Sequence, residues 1–268
     1  MTTPSRPHRG ASTAAPQTPP RPPRARVGGP ALCLAAVMLA AACGDGFDDP
    51  AGLARAQILA VRSTPASVAL GERSQLDVLV VGPTGALSPS QIDWTIEPGD
   101  SAYIEREAAG NTWLVPAADD QRGEPGPAPD DSATSADPPE ARELALDVTV
   151  TLADGDQLIA RKYVFVNMDE NVANPTITAL TGDGVPLSDD APLRLRPGQR
   201  ATLDVDTAPL DPDQGLISWY TTAGDIELYR RTPTELVAPE RSARGWLYVV
   251  YRDGLGGVAW QRSEIIVE

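Results

Sequence analysis

From Leu53 onward the chain is cut into short apolar runs separated by Pro, Gly and Asp. Residues 75–81 (QLDVLVV), 91–96 (QIDWTI), 144–152 (LALDVTVTL) and 163–166 (YVFV) gather Val, Ile, Leu, Thr and aromatic side chains, often in alternation with polar ones. Strand-length runs with turn signals between them predict an all-β chain of the sandwich type. No stretch after residue 42 sustains the 3.6-residue period of an amphipathic helix.

The order of runs then recurs. LGERSQLDV at 70–78 is answered by PGQRATLDV at 197–205, and IDWT at 92–95 by ISWY at 217–220. LVP at 114–116 returns as LVAP at 236–239, and the closing runs YVFV at 163–166 and EIIV at 264–267 follow turns at Asp154-Gly155 and Asp253-Gly254. Matches in the same order describe a duplicated domain. The expected layout is domain one at 53–168, a polar linker at 169–175 and domain two at 176–268. Domain one carries an extra Pro-, Asp- and Ala-rich insert at about 117–142, which has too little apolar surface to build structure.

Ahead of these domains lies a different pattern. Residues 31–42 form one short apolar run, preceded by Arg21, Arg24 and Arg26, with no acid in the first 42 positions. A positive flank, a short apolar stretch and small residues before a cut are the parts of a secretion signal. The run is too short for a membrane span, which takes about 20 apolar residues. Leu39-Ala40-Ala41-Ala42-Cys43 resembles a bacterial lipobox. That resemblance implies a signal peptide at 1–42, cleavage before Cys43 and acylation of Cys43 with diacylglycerol and palmitate-type chains. It also implies a lipidated tether at 43–52, and Gly44 directly after the cysteine implies export to the outer membrane. The competing reading is an Ala-x-Ala site that frees a soluble protein.

Composition narrows the chemistry. Residues 1–42 hold five Arg and no acid, so removing them takes the net charge from −15 to −20. Such a body repels nucleic acid and anionic headgroups. The sole histidine, His8, and the only other cysteine, Cys33, lie in the discarded piece. His-based triads, His metal sites, disulfides and a free cysteine nucleophile are therefore excluded from the mature chain. No catalytic residue, metal ligand or cofactor is expected. Acidic groups at Asp45, Asp48 and Asp49, at Asp169 and Glu170, and at Asp204, Asp206, Asp211 and Asp213 lack EF-hand spacing and read as solvated loops.

Trp94 and Trp219 hold equivalent places and are expected in the two cores. Trp246, Tyr248 and Trp260 are different: aligning the two closing hairpins sets Trp246 and Tyr248 against the polar Asp147 and Thr149 of domain one. Alternation along the closing hairpin turns them outward, with Trp260 opposite Val250 and Arg262 opposite Tyr248. They are the candidate ligand-binding residues, unless the other domain or an N-terminal strand covers them.

The Pro65-x-x-Val68-x-x-Gly71 segment, the two Ile-x-Trp motifs and the turn Arg252-Asp253-Gly254-Leu255-Gly256-Gly257 resemble those of bacterial surface lipoproteins with immunoglobulin-like repeats. The resemblance implies two tandem immunoglobulin-like β-sandwich domains after a lipoprotein signal peptide. It implies a lipid-anchored cell-envelope protein with a binding, adhesion or scaffolding role, partnered by an envelope protein or a glycan and by no nucleic acid. The alternative is a carbohydrate-binding accessory module that uses the aromatic face of domain two.

Overall fold

In the computed structural model the residues described are 49–117, 141–166, 172–208 and 215–268. Their regular structure is all β. The first half contains β1 (Gln57–Thr64), β2 (Ser67–Val68), β3 (Ser74–Gly82), β4 (Gly85–Ala86), β5 (Gln91–Ile96), β6 (Ala102–Arg106), β7 (Thr112–Pro116), β8 (Arg142–Thr151) and β9 (Gln157–Val166). The second contains β10 (Thr176–Gly182), β11 (Val185–Pro186), β12 (Leu193–Leu195), β13 (Arg200–Ala208), β14 (Leu216–Thr221), β15 (Asp225–Ile226), β16 (Thr234–Val237), β17 (Ala243–Arg252) and β18 (Val258–Val267).

Each half is an immunoglobulin-like sandwich of two sheets. In domain one, β1-β3-β7-β6 faces β2-β9-β8-β5, with β4 folded onto the end of β3. In domain two, β11-β10-β13-β16-β15 faces β12-β18-β17-β14. In both halves the chain leaves its first strand, crosses to the other sheet and makes a short parallel pairing with the last strand: Val68 meets Val166 and Leu195 meets Val267. Ser74 pairs with Leu114 as Ala201 pairs with Leu236, so the duplication is one of pairing as well as of sequence.

Alternation puts one side of each strand into a core. Trp94 sits opposite Val148 and Trp219 opposite Val249, each among the buried aliphatics of its own sandwich. The two are not equally enclosed, at 9 % and 0 % exposed. Trp219 also donates its indole N–H to the Arg231 carbonyl at 2.8 Å. Burying an aromatic while satisfying its one donor is the favourable way to use tryptophan in a core.

Three expectations are corrected. The closing hairpins align two residues away from the expected register. Because Val148 and Val249 both face the core tryptophans, Trp246 and Tyr248 correspond to Ala145 and Asp147, not to Asp147 and Thr149. An even shift preserves the faces. Next, the end of the tether is not free. Ala51 is fully buried in the core of domain two, Gly52 bridges Thr221 in parallel, and Leu53 N–H donates to the Thr221 carbonyl at 2.9 Å. The chain thus touches the edge of β14 before it builds domain one. Last, Arg142 begins β8 and Ala117 N–H bonds the Ser101 carbonyl, so both ends of the expected insert belong to the fold. Its interior, 118–140, lies outside the described residues, as do residues 167–168 at the end of domain one and linker residues 169–171.

Candidate functional site

The expected ligand-binding residues come together, as the alternation requires. Tyr248 pairs with Arg262 and Val250 with Trp260 across the β17–β18 hairpin. They do not form an open face. Domain one lies on them, within the single compact unit that contains all the described residues. Tyr248, Val250 and Val258 share a buried cluster with Leu59 and Ala60 of β1, Val81 of β3, and Leu53, and Trp246 and Trp260 pack at its margin. Tyr248 is 0 % exposed, and its burial pushes the phenol pKa up. The expected open binding face is therefore largely an internal seam: Tyr248 is covered, while Trp260 and Arg262 at its margin line an open pocket with Asp189 and Asp190.

The reason lies in β1 and β3. A bulge between Ile58 and Ala60 lets β1 bury both its sides: Val61 turns into its own core, while Leu59 and Ala60 turn towards domain two. Val80 and Val81 divide in the same way at the end of β3. A strand buried on both faces reads as a continuous apolar run, and 246–251 (WLYVVY) is such a run. The corresponding face of domain one alternates. There Asp147 and Arg161 form a pair at 2.8 Å, and Ile159, the counterpart of Trp260, is 73 % exposed.

Polar contacts fix the seam in register. The Arg62 guanidinium lies 3.9 Å above the Trp260 ring while bonding Asp77 at 2.7 Å. Within domain two, Arg262 stacks over Trp246 at 4.9 Å and holds Asp189 at 2.9 Å, fixing the indole that meets domain one. Arg252 Nη2 donates to the Leu59 carbonyl, which the β1 bulge presents, at 2.5 Å. Asn174 ties both domains to the linker: its amide donates to the Ser63 carbonyl at 2.6 Å, and its oxygen accepts from Val258 N–H at 2.9 Å. The Cδ1–Nε1 edge of Trp246 meets Gly85, where a Cβ would stand 2.8 Å from the indole.

A cavity of about 330 Å³ opens along the seam between β1, β9 and the β17–β18 turn. Lys162 lines it. This is the only lysine in a chain with 21 arginines, and it takes the inward-facing position that Ser263 holds in domain two. Its Nζ crosses the seam to donate to the Gly256 carbonyl, and it makes no ion pair with any described carboxylate. Burial lowers its pKa to about 8; Asp253 opposes this and Arg252 adds to it. Asp253 has a structural task, accepting from Leu255 and Gly257 N–H at 2.8 Å each. Gly257 is required there, since a Cβ would meet Asp253 Oδ2 at 2.1 Å and Pro175 at 2.6 Å. Sequence reasoning passed over Lys162, although its singularity was a visible signal.

Among the described residues no group of three or more His, Cys, Asp or Glu could hold a metal. Asp204 accepts from Thr232 Oγ1 at 2.7 Å and Asp49 from Ala51 N–H at 3.0 Å. Asp45, Asp48, Asp169, Glu170, Asp211, Asp213 and the expected lipid-attachment residue Cys43 lie outside the described residues.

No protein-family model matches the chain, and no curated protein matches it. Among solved structures it is similar to the N-terminal Ig1-2 module of the Drosophila receptor protein tyrosine phosphatase DLAR, with 12 % identity, 80 % of this chain and 99 % of that one covered, and a TM-score of 0.31. Fibronectin(III)-like modules of Clostridium thermocellum CbhA match at 12 % identity over 79 % and 92 % of the two chains, with a TM-score of 0.27. Domains 4–9 of the surface layer protein SbsC match at 12 % identity over 78 % of this chain and 31 % of that one, with a TM-score of 0.25. These scores are low, and it is the strand pairing of the two halves that defines the architecture.

Proposed function

We propose that this chain is an exported, non-catalytic lipoprotein of a bacterial cell envelope, anchored at the outer membrane through Cys43, in which the docked double sandwich serves as an adhesion or scaffolding body. The observation that carries the reading is the short apolar run ending at Leu39-Ala40-Ala41-Ala42-Cys43, the last cysteine in the chain. Acylation supplies membrane affinity that a body of charge −20 lacks, and two or more acyl chains hold stably where one is marginal. A body without histidine or a free thiol has few means of covalent catalysis, and among the described residues its carboxylates form no group of three or more that could hold a metal. Domain one covers Tyr248 and part of Trp246 and Trp260, which leaves the carbohydrate-binding alternative only the pocket that Trp260 and Arg262 line beside Asp189 and Asp190.

Expression of the wild-type chain in a bacterial host, followed by detergent phase partitioning and mass spectrometry of the mature N-terminus, tests the anchor. Cys43→Ser should abolish partitioning and leave the circular dichroism spectrum unchanged. An unmodified N-terminus recovered from the soluble fraction of the wild type would overturn the reading.

A further inference from the structure

The seam cavity holds an amine with unusual surroundings. A chain that uses arginine at every other basic position has placed its one lysine where solvent is thin. The difference matters chemically, because a guanidinium stays charged in any protein environment whereas a buried ammonium sheds its proton. Leu59 and Val61 of β1, Ala160 of β9 and Val258 of β18 give the cavity apolar walls. The charged groups around it are otherwise engaged. Arg161 is held by Asp147, Arg252 by the Leu59 carbonyl, and Asp253 by two backbone N–H groups of its own turn. Glu143 of β8 also lines the cavity and forms no ion pair with Lys162. The amine therefore has one carbonyl acceptor and no ion pair; the Asp253 carboxylate and the Arg252 guanidinium act on it in opposite senses, and burial outweighs both. Desolvation against apolar walls is the setting in which lysine becomes a nucleophile.

We propose that Lys162 in the interdomain cavity is a covalent attachment site for small, largely apolar aldehydes or ketones. The amine nitrogen attacks the carbonyl carbon to give a carbinolamine. Loss of water then forms the C=N bond, the carbonyl oxygen departing with the two protons shed by the nitrogen. No oxidant or reductant takes part. A cavity of about 330 Å³ admits a ligand of a few heavy atoms and stands at the small end of ligand sites. The Gly256 carbonyl accepts a hydrogen bond from the amine and orients it. This site does not depend on membrane attachment.

The test uses the mature wild-type protein, acetaldehyde as probe and cyanoborohydride to trap the imine, with peptide mapping to separate Lys162 from the chain terminus. At pH 7 the native protein should be alkylated at Lys162 about tenfold or more faster than the same lysine in urea-unfolded chain, because more of the native amine is unprotonated. The native rate should rise with pH and level off near pH 8, where that of the unfolded chain still climbs. Lys162→Arg should give no adduct at that peptide. A native rate equal to or below the unfolded one would overturn the proposal and leave Lys162 as a structural donor across the seam.

Discussion

Replacing Tyr248 with the residue at its repeat counterpart isolates the seam from the fold. Asp147 holds that position in domain one, on an exposed face, so an aspartate there is compatible with the strand itself. In domain two the same position is fully covered by domain one. Tyr248→Asp removes a buried aromatic, a change that costs about 3–5 kcal/mol when the site stays closed. It also asks a carboxylate to leave water, at a further several kcal/mol. Undocking returns that carboxylate to solvent, so the total penalty is capped at the free energy of docking. The variant should therefore keep both sandwiches folded and let them separate. Small-angle scattering should show a larger radius of gyration, and the emission of Trp246 and Trp260 should move to longer wavelength. Urea unfolding should change from one transition to two. Gly85→Ala tests the seam from the other side, since its Cβ would stand 2.8 Å from the Trp246 indole at a position with φ of 120°. If both variants retain the wild-type radius, emission and single transition, the seam contributes little and the argument fails.

Trp219→Ala should destabilise domain two by about 4–5 kcal/mol and Trp94→Ala domain one by about 3 kcal/mol, because only Trp219 is wholly enclosed and hydrogen-bonded; urea melts check the order. Starting the chain at residue 54 removes two backbone hydrogen bonds to Thr221 and the buried Ala51 and Leu53, and should cost about 3–5 kcal/mol, read as earlier loss of protection at β14 in hydrogen exchange. For Lys162, a folded pKa of about 8 against an ordinary 10.5 means that the unfolded chain binds more protons between those values. Stability should thus rise with pH across that window, by about 2 kcal/mol from pH 8 to pH 9.5, with the full charge penalty present below pH 8. Lys162→Met should flatten this rise in chemical denaturation.

What was legible in the sequence follows the range of the forces involved. Alternation, turn residues and the repeated Ile-x-Trp report local preferences, and from them came the sandwich class, the duplication, the core tryptophans and the pairing of Val250 with Trp260. The closing-hairpin register was missed by two residues, since apolar alternation has a period of two and cannot tell one inward position from the next. The end of the tether was missed for a related reason. Ala51 and Leu53 sit in a stretch of Gly, Asp and Pro, and their partner Thr221 lies more than 160 residues away. Nothing local marks such a contact.

The aromatic face is the more instructive case, because its residues and their direction were read correctly and its use was not. An outward-facing Trp, Tyr and Trp on one hairpin says only that apolar surface needs a cover. A ligand and a neighbouring domain satisfy that need equally well in sequence. The complementary half was nonetheless present, in the neighbouring buried pairs of β1 and β3, where Leu59-Ala60-Val61 and Val80-Val81 exceed what one core can absorb. A half-buried strand with surplus apolar residues on its outer face calls for a partner of the same kind, and in a duplicated chain the nearest one is the other copy. The outer face of β8–β9 carries Asp147, Thr149 and Arg161, with Ile159 and Tyr163 exposed singly among them, so it lacks the continuous apolar run that β17 presents and the docking is one-sided. That asymmetry explains why two copies of one fold differ most in the residues that neither fold needs for its own core.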